Sequence, residues 1–291
     1  MNQDNMRLLR RYELICKNKG LTNESIKAIC KSDLPLFFRF IGEKELEEIN
    51  HIHVEDFFDY CIHERENGDQ AIARKYTTLN SFFRTMIKKE YLSMKNPLDK
   101  LDKVKVRKKV RQHLTKEEIE KLMNYIEEQK DYRGAALVAL FYSSGCRLTE
   151  LWQQNRDSLD FEKRQFKVLG KGAKERICIF SEDAKEKVLR YLKTRKDDLR
   201  SLFISRQNNR WAKKSIQDYV RKEGKRAGIE KRCHPHIFRH SIAMHLLQDD
   251  YPLEYIQLLL GHESISTTQV YAHGNIQDIQ SKIDSFYKGG N

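Results

Sequence analysis

His234-Pro235-His236-Ile237-Phe238-Arg239-His240 brings imidazoles and a guanidinium into the first turns of a helix expected over 235 to 248. Pro235 suits that first turn, where the helix ladder needs no backbone N–H. His236 and Arg239 stand three residues apart, so they share one helical face. Arg239 follows apolar Ile237 and Phe238, a setting in which an unpaired guanidinium is costly unless it lines a cleft. Related chemistry lies outward from this stretch. Arg147 sits in Ser-Ser-Gly-Cys-Arg-Leu-Thr-Glu-Leu (143 to 151), where a small-residue turn opens a short helix. Lys171 sits in Leu-Gly-Lys-Gly-Ala-Lys-Glu-Arg (169 to 176). His262 closes Leu-Leu-Leu-Gly-His (258 to 262), and Tyr271 follows nine residues later in Ser-Thr-Thr-Gln-Val-Tyr-Ala-His (266 to 273). A phosphodiester in transfer concentrates negative charge on its non-bridging oxygens, and planar guanidinium forks match that geometry. Two arginines, two imidazoles, one ammonium and one phenol can carry out transesterification without a metal.

In their order along the chain, these motifs resemble the tyrosine recombinases of the lambda-integrase superfamily, nearest in size and motif to the Xer type. The resemblance covers the chain beyond about its first twenty residues. It implies that Tyr271 is the nucleophile, that Arg147 and Arg239 clamp the non-bridging oxygens, and that His262 donates a further hydrogen bond to the phosphate. His236 becomes a hydrogen-bond partner or general base toward the phenol proton. Lys171, at a hairpin tip, becomes the general acid for the departing 5′-oxygen. Glu150 holds Arg147 or the turn around it. Each residue also has a plainer reading. Most tyrosines on short helices pack, and there are 13 here. An arginine three residues from a glutamate forms a surface ion pair, a turn lysine is solvated, and Lys174 competes with Lys171. His236 and His240 at i, i+4 invite zinc, but the glutamate of an HExxH motif is missing; the expectation is no metal and no cofactor.

Composition agrees with a polyanionic partner. Lys and Arg number 55 against 42 Asp and Glu, a net charge of +13 over 291 residues, enough length for two ordinary domains. The cysteines at 16, 30, 61, 146, 178 and 233 show no CxxC pairing and read as reduced structural thiols. No signal-peptide core or membrane span is visible, so the expectation is a soluble, cytoplasmic protein with no membrane partner.

Along the chain, residues 1–99 read as helices: Met6 to Lys17, a second running on from a Thr22 or Asn23 cap to Gly42, Val54 to Glu66, and Ala71 to Glu90 ahead of an Asn96-Pro97 stop. Residues 100–113 lose helical periodicity and carry Lys105, Arg107, Lys108, Lys109 and Arg111, a basic linker suited to a DNA backbone. A second domain, 114–291, opens with a Thr115/Glu118 capping box and a buried helix around 134 to 142. Strands over 165 to 169 and 176 to 180 flank the Gly-Lys-Gly turn, and helices follow at about 213 to 227, 235 to 248 and 252 to 260. Lys213, Lys214 and Arg221 are candidate DNA contacts on the first of these, with a solvated face as the plainer reading. Near 275 to 287, Ile276, Ile279, Ile283 and Phe286 form an apolar stripe; in the family a neighbouring protomer covers it, as an exchange helix.

The expected fold is mainly α with a small β-sheet: a SAM-like helical core-DNA-binding domain and an α+β catalytic domain that close on DNA as a clamp. The resemblance implies site-specific recombination by serial transesterification through a 3′-phosphotyrosyl link and a Holliday junction. Partners would be a double-stranded core site with inverted half-sites, a cyclic tetramer of this chain on two duplexes, and an accessory protein or second recombinase. Resolution of dimers or cointegrates is favoured. An integrase or excisionase of a mobile element, a DNA-relaxing enzyme and a non-catalytic DNA-binding protein remain alternatives.

Overall fold

The computed structural model describes residues 2–102, 112–169, 175–261 and 273–288, the last with side chains from 278 to 285. By internal contacts the chain divides into two units, Met1–Val110 and Arg111–Asn291. The linker residues Lys105, Arg107, Lys108, Lys109 and Arg111 lie outside the described residues.

The first unit is built from α1 (Gln3–Asn18), α2 (Asn23–Ala28), α3 (Leu34–Ile41), α4 (His51–His63) and α5 (Asp69–Lys88). Leu9, Tyr12 and Cys16 turn inward from α1, and Phe37, Phe38, Phe57, Phe82 and Phe83 are fully buried at the centre. Their rings meet edge to face, with Phe37 and Phe57 centroids 5.1 Å apart. The single helix expected from Thr22 to Gly42 is interrupted by a π-turn at Ile29–Asp33. Pro35 supplies the reason: it has no N–H to continue the α ladder, and the wider turn absorbs the mismatch. The turn buries Asp33, whose carboxylate accepts from Arg74 at 2.9 Å, Lys75 at 3.4 Å and Thr78 at 3.4 Å. α5 also stops before Asn96-Pro97. It ends at Lys88, and Glu90 adopts a left-handed φ of 58° just beyond.

In the second unit Thr115 Oγ1 accepts the Glu118 N–H at 3.2 Å, and Glu118 returns the bond to the Thr115 N–H at 2.8 Å. α6 (Lys116–Glu128) follows, then α7 (Tyr132–Ser144), buried throughout from Gly134 onward. α8 (Leu148–Trp152) leads to an antiparallel sheet in the order β1 (Leu159–Asp160), β2 (Gln165–Leu169), β3 (Glu175–Ile179). α9 (Glu182–Thr194), capped by Ser181 and absent from the sequence reading, packs along α7. α10 (Lys213–Arg226), α11 (Pro235–Gln248), α12 (Leu253–Leu260) and α13 (His273–Lys288) complete the unit. α7 is the axle: α6, α9 and α11 all lie against it.

α13 departs from expectation. Ile279 and Ile283 belong to the core of their own unit. Gln280 donates to the carbonyls of Lys163 and Arg164 at 2.8 and 3.2 Å, and Asp284 accepts the Glu182 N–H at 2.8 Å while pairing with Arg164. The β1–β2 turn and the start of α9 thus offer backbone groups that satisfy this helix in cis, so these two isoleucines need no neighbouring protomer. The side chains of Ile276 and Phe286 lie outside the described residues. Ile283→Ala is therefore expected to destabilise the free protein by about 2 to 5 kcal/mol, read as a lower urea midpoint at unchanged slope. An unchanged midpoint would mean that the helix does not pack on its own domain in solution.

Candidate active site

The turn between α7 and α8 sets the first guanidinium. Gly145 ends α7 in the left-handed region, φ 56°, and a Cβ there would come within 2.9 Å of Leu260 Cδ2. Both reasons favour glycine. The reversal presents Arg147 as the N-cap of α8, and Glu150 reaches back to accept its backbone N–H at 2.6 Å and its Nη1 at 2.8 Å. Glu150 is buried, whereas the Arg147 side chain is 40% exposed.

α11 supplies the second guanidinium. Arg239 Nη1 donates to the Gly145 carbonyl at 2.7 Å and Nη2 to the Leu260 carbonyl at 2.6 Å. One side chain thereby ties the turn before Arg147 to the end of α12, two residues before His262. His236 stands one turn earlier on α11. Partial burial, and then the guanidinium groups of Arg239 and Arg147, push its pKa down, so at neutral pH the ring is neutral. Burial and the charges of Arg147 and Arg176 lower Arg239 to about 10, which leaves it protonated.

A third guanidinium was not anticipated. Arg176 on β3 donates from Nη2 to Glu150 Oε2 at 2.8 Å and from Nη1 to the Leu259 carbonyl at 3.0 Å. Its side chain is 9% exposed. The signal was available in the hairpin register: Arg176 faces Val168 across β2, and Val168 is buried. Cross-strand partners share a face, so an inward Val168 implies an inward Arg176. Gly261 makes room for it, with φ 65° and a missing Cβ that would lie 2.3 Å from Arg176 Cδ. The glycine before His262 is thus required by the arginine beside it.

Two of the three guanidinium groups, those of Arg147 and Arg176, pair with the one carboxylate, Glu150, and Arg239 is bonded to carbonyls instead. Burial alone would raise that carboxyl, but Arg176 and Arg147 outweigh it and hold it below the ordinary value. The surplus is positive, and Arg147 Nε and Nη2 have no protein acceptor among the described residues. Such a site suits an anion with several oxygens. Lys171, His262 and Tyr271 lie outside the described residues. The described chain reaches Leu169 and Glu175 on either side of Lys171, and Gly261 immediately before His262. Cys146 and Cys178 are free thiols buried nearby, and burial raises both. Among the described residues no three His, Cys, Asp or Glu side chains are grouped to hold a metal ion, and no helix is long and apolar enough to cross a membrane.

Of the basic residues on α10, Lys214 and Arg221 share Asp218 at 3.3 and 3.1 Å. The Lys213 ammonium lies 5.0 Å from the centre of the Trp152 ring. Lys214 and Arg221 remain exposed at 77% and 51%. Their salt bridges are therefore weak.

Residues 112–278 match the phage integrase family. The chain is 34% identical over 277 residues to tyrosine recombinase XerC of Thermodesulfovibrio yellowstonii, covering 91% of each chain. It is 36% identical over 222 residues to tyrosine recombinase XerC of Mannheimia succiniciproducens, covering 74% of each. In fold it resembles the crystal structure of a lambda integrase tetramer bound to a Holliday junction, with a TM-score of 0.73 at 19% identity over 92% of this chain and 81% of that one. A guanidinium cluster suited to an oxyanion, in a mainly helical domain with a small sheet, thus stands in a chain whose sequence relatives are tyrosine recombinases. The chain belongs to the phage integrase family and is a tyrosine recombinase, an enzyme of site-specific DNA recombination.

Proposed function

We propose that Tyr271 attacks a scissile phosphate in duplex DNA, forming the phosphorus–oxygen bond of a 3′-phosphotyrosyl link as the bond to the 5′-oxygen breaks. The observation that carries this reading is the gathering of three guanidinium groups around one carboxylate: Arg147 and Arg176 are bonded to Glu150, and Arg239 is held beside them on the Gly145 and Leu260 carbonyls. Arg147 and Arg239 bind the non-bridging oxygens, and their charge is worth most where it develops in the transition state. Neutral His236 accepts the phenol proton, directly or through the phosphate network, and His262 adds a donor. Lys171 delivers a proton to the departing 5′-oxygen. A 5′-hydroxyl from a partner strand then attacks the phosphotyrosyl bond and releases Tyr271. Because the covalent link conserves the energy of the broken bond, two such exchanges pass through a Holliday junction and end in recombined duplexes.

The substrate in this reading is a core site with inverted half-sites, bound by both units of the chain. Lys213, Lys214, Arg221 and the basic residues from 105 to 111 add phosphate contacts, and four protomers act on two duplexes. In this reading the chain, similar over 91% of its length to a tyrosine recombinase XerC, resolves dimers or cointegrates in the cytoplasm rather than integrating a mobile element.

The reading is tested on a duplex recovered by selection from a random-sequence pool and nicked to trap covalent product. Tyr271→Phe is expected to keep half-site binding and lose all protein–DNA adduct; an adduct from this variant would place the nucleophile elsewhere. Lys171→Ala should slow cleavage by about two to four orders of magnitude, yet cleave a 5′-bridging phosphorothiolate almost normally, because sulfur departs without a proton. Equal losses on both substrates would remove Lys171 as the acid. The lowered pKa of His236 gives a third expectation. If neutral imidazole is the working form, single-turnover cleavage holds as pH falls from 8 and reaches half its plateau only below about 6.5, the ordinary imidazole value. A midpoint above that value would contradict the assignment.

A further inference from the structure

Both Nη atoms of Arg176 are engaged by protein acceptors. Its Nη2 is engaged with Glu150 and its Nη1 with the Leu259 carbonyl, and its Nε lies buried against Gly261 with no acceptor among the described residues. Glu150 in turn uses Oε2 for Arg176 and the Arg147 backbone, and Oε1 for Arg147 Nη1. Two cations therefore share one buried anion. If Arg176 were neutral, Glu150 would cancel Arg147 outright and the surplus charge beside Arg239 would fall by one.

We propose that Arg176 is a positioning residue for the recombination reaction, carrying the counter-charge of Glu150 so that Arg147 stays positive toward the phosphate. Through Leu259 it also holds the end of α12 to that same carboxylate. β3, the start of α8 and the end of α12 are thereby joined through one guanidinium and one carboxylate. This rests on the reading that Arg147 binds the transferring phosphate.

The test compares Arg176→Met and the paired variant Arg176→Met/Glu150→Gln in the full chain, on the nicked duplex above and on one whose scissile phosphate is a methylphosphonate. That neutral group asks for less positive charge. With half-site affinity and melting temperature near those of the parent, Arg176→Met should slow cleavage of the ordinary phosphate by about 10- to 100-fold, the span usual for a group that orients a primary one. Its loss on the methylphosphonate should be only a few-fold. The paired variant removes the anion together with its counter-charge, an exchange that buried ion pairs tolerate, and should recover to within several-fold of the parent. It decides the matter if Arg176→Met alone does not fold.

Equal losses on both substrates, or a folded paired variant as slow as the single one, would overturn the proposal. So would a paired variant that cannot fold, since the pair would then be a requirement of the fold. Adduct from Tyr271→Phe, or normal cleavage by Arg147→Ala, would instead defeat the underlying reading of the site.

Discussion

A carboxylate removed from water needs cations close by, and in this protein Glu150 answers that need with two arginines from different parts of the chain. Arg147 comes from the start of its own helix and Arg176 from a strand twenty-six residues on. With either arginine lost the other still balances the carboxylate, so what disappears is the surplus positive charge. Much of the surrounding architecture follows from satisfying that one group. The hairpin must hold a register that turns Arg176 inward, α8 must begin at Arg147, and the residue after α12 must lack a Cβ.

The other arginine is held differently. Arg239 is bonded to carbonyls at Gly145 and Leu260, and Arg176 takes a third at Leu259. The last carbonyls of a helix have no partner of their own, and the helix dipole places partial negative charge there. Anchoring a guanidinium on such carbonyls orients it without cancelling its charge, which a second carboxylate would do. The site can therefore be both rigid and strongly positive. The same bonds pin α12 beside the functional turn.

Sequence patterning reached the fold class, the order of elements and the capping of α6, because those depend on local periodicity and on side chains a few residues apart. Arg147, Glu150, His236 and Arg239 were singled out by the family resemblance of the short motifs that hold them, and local spacing fixed only the helical face each shares. Arg176 was not read, although the alternation of Phe166 and Val168 pointed to its face, because its partner Glu150 is remote in sequence. α9 was overlooked despite the Ser181 cap and a helical stripe of Ala184, Val188 and Tyr191. The tail was expected to be covered by a neighbouring protomer because a short amphipathic helix needs a surface, whereas Ile279 and Ile283 pack into the core of their own unit. What its polar residues bind, Arg164 and the backbone at Glu182, is visible only in three dimensions.

The π-turn at Ile29–Asp33 has a consequence for how the first unit can vary. Each residue advances a helix by about 100° around its axis. Excising one residue to regularise that turn would swing Leu34, Phe37, Phe38 and Ile41 away from the aromatic cluster and draw Asp33 off Arg74, Lys75 and Thr78. Insertions and deletions should therefore be excluded between Ile26 and Ile41 while conservative exchanges persist there. The exposed turn at Arg206 to Asn209, which carries no such phase relation, is free to change length.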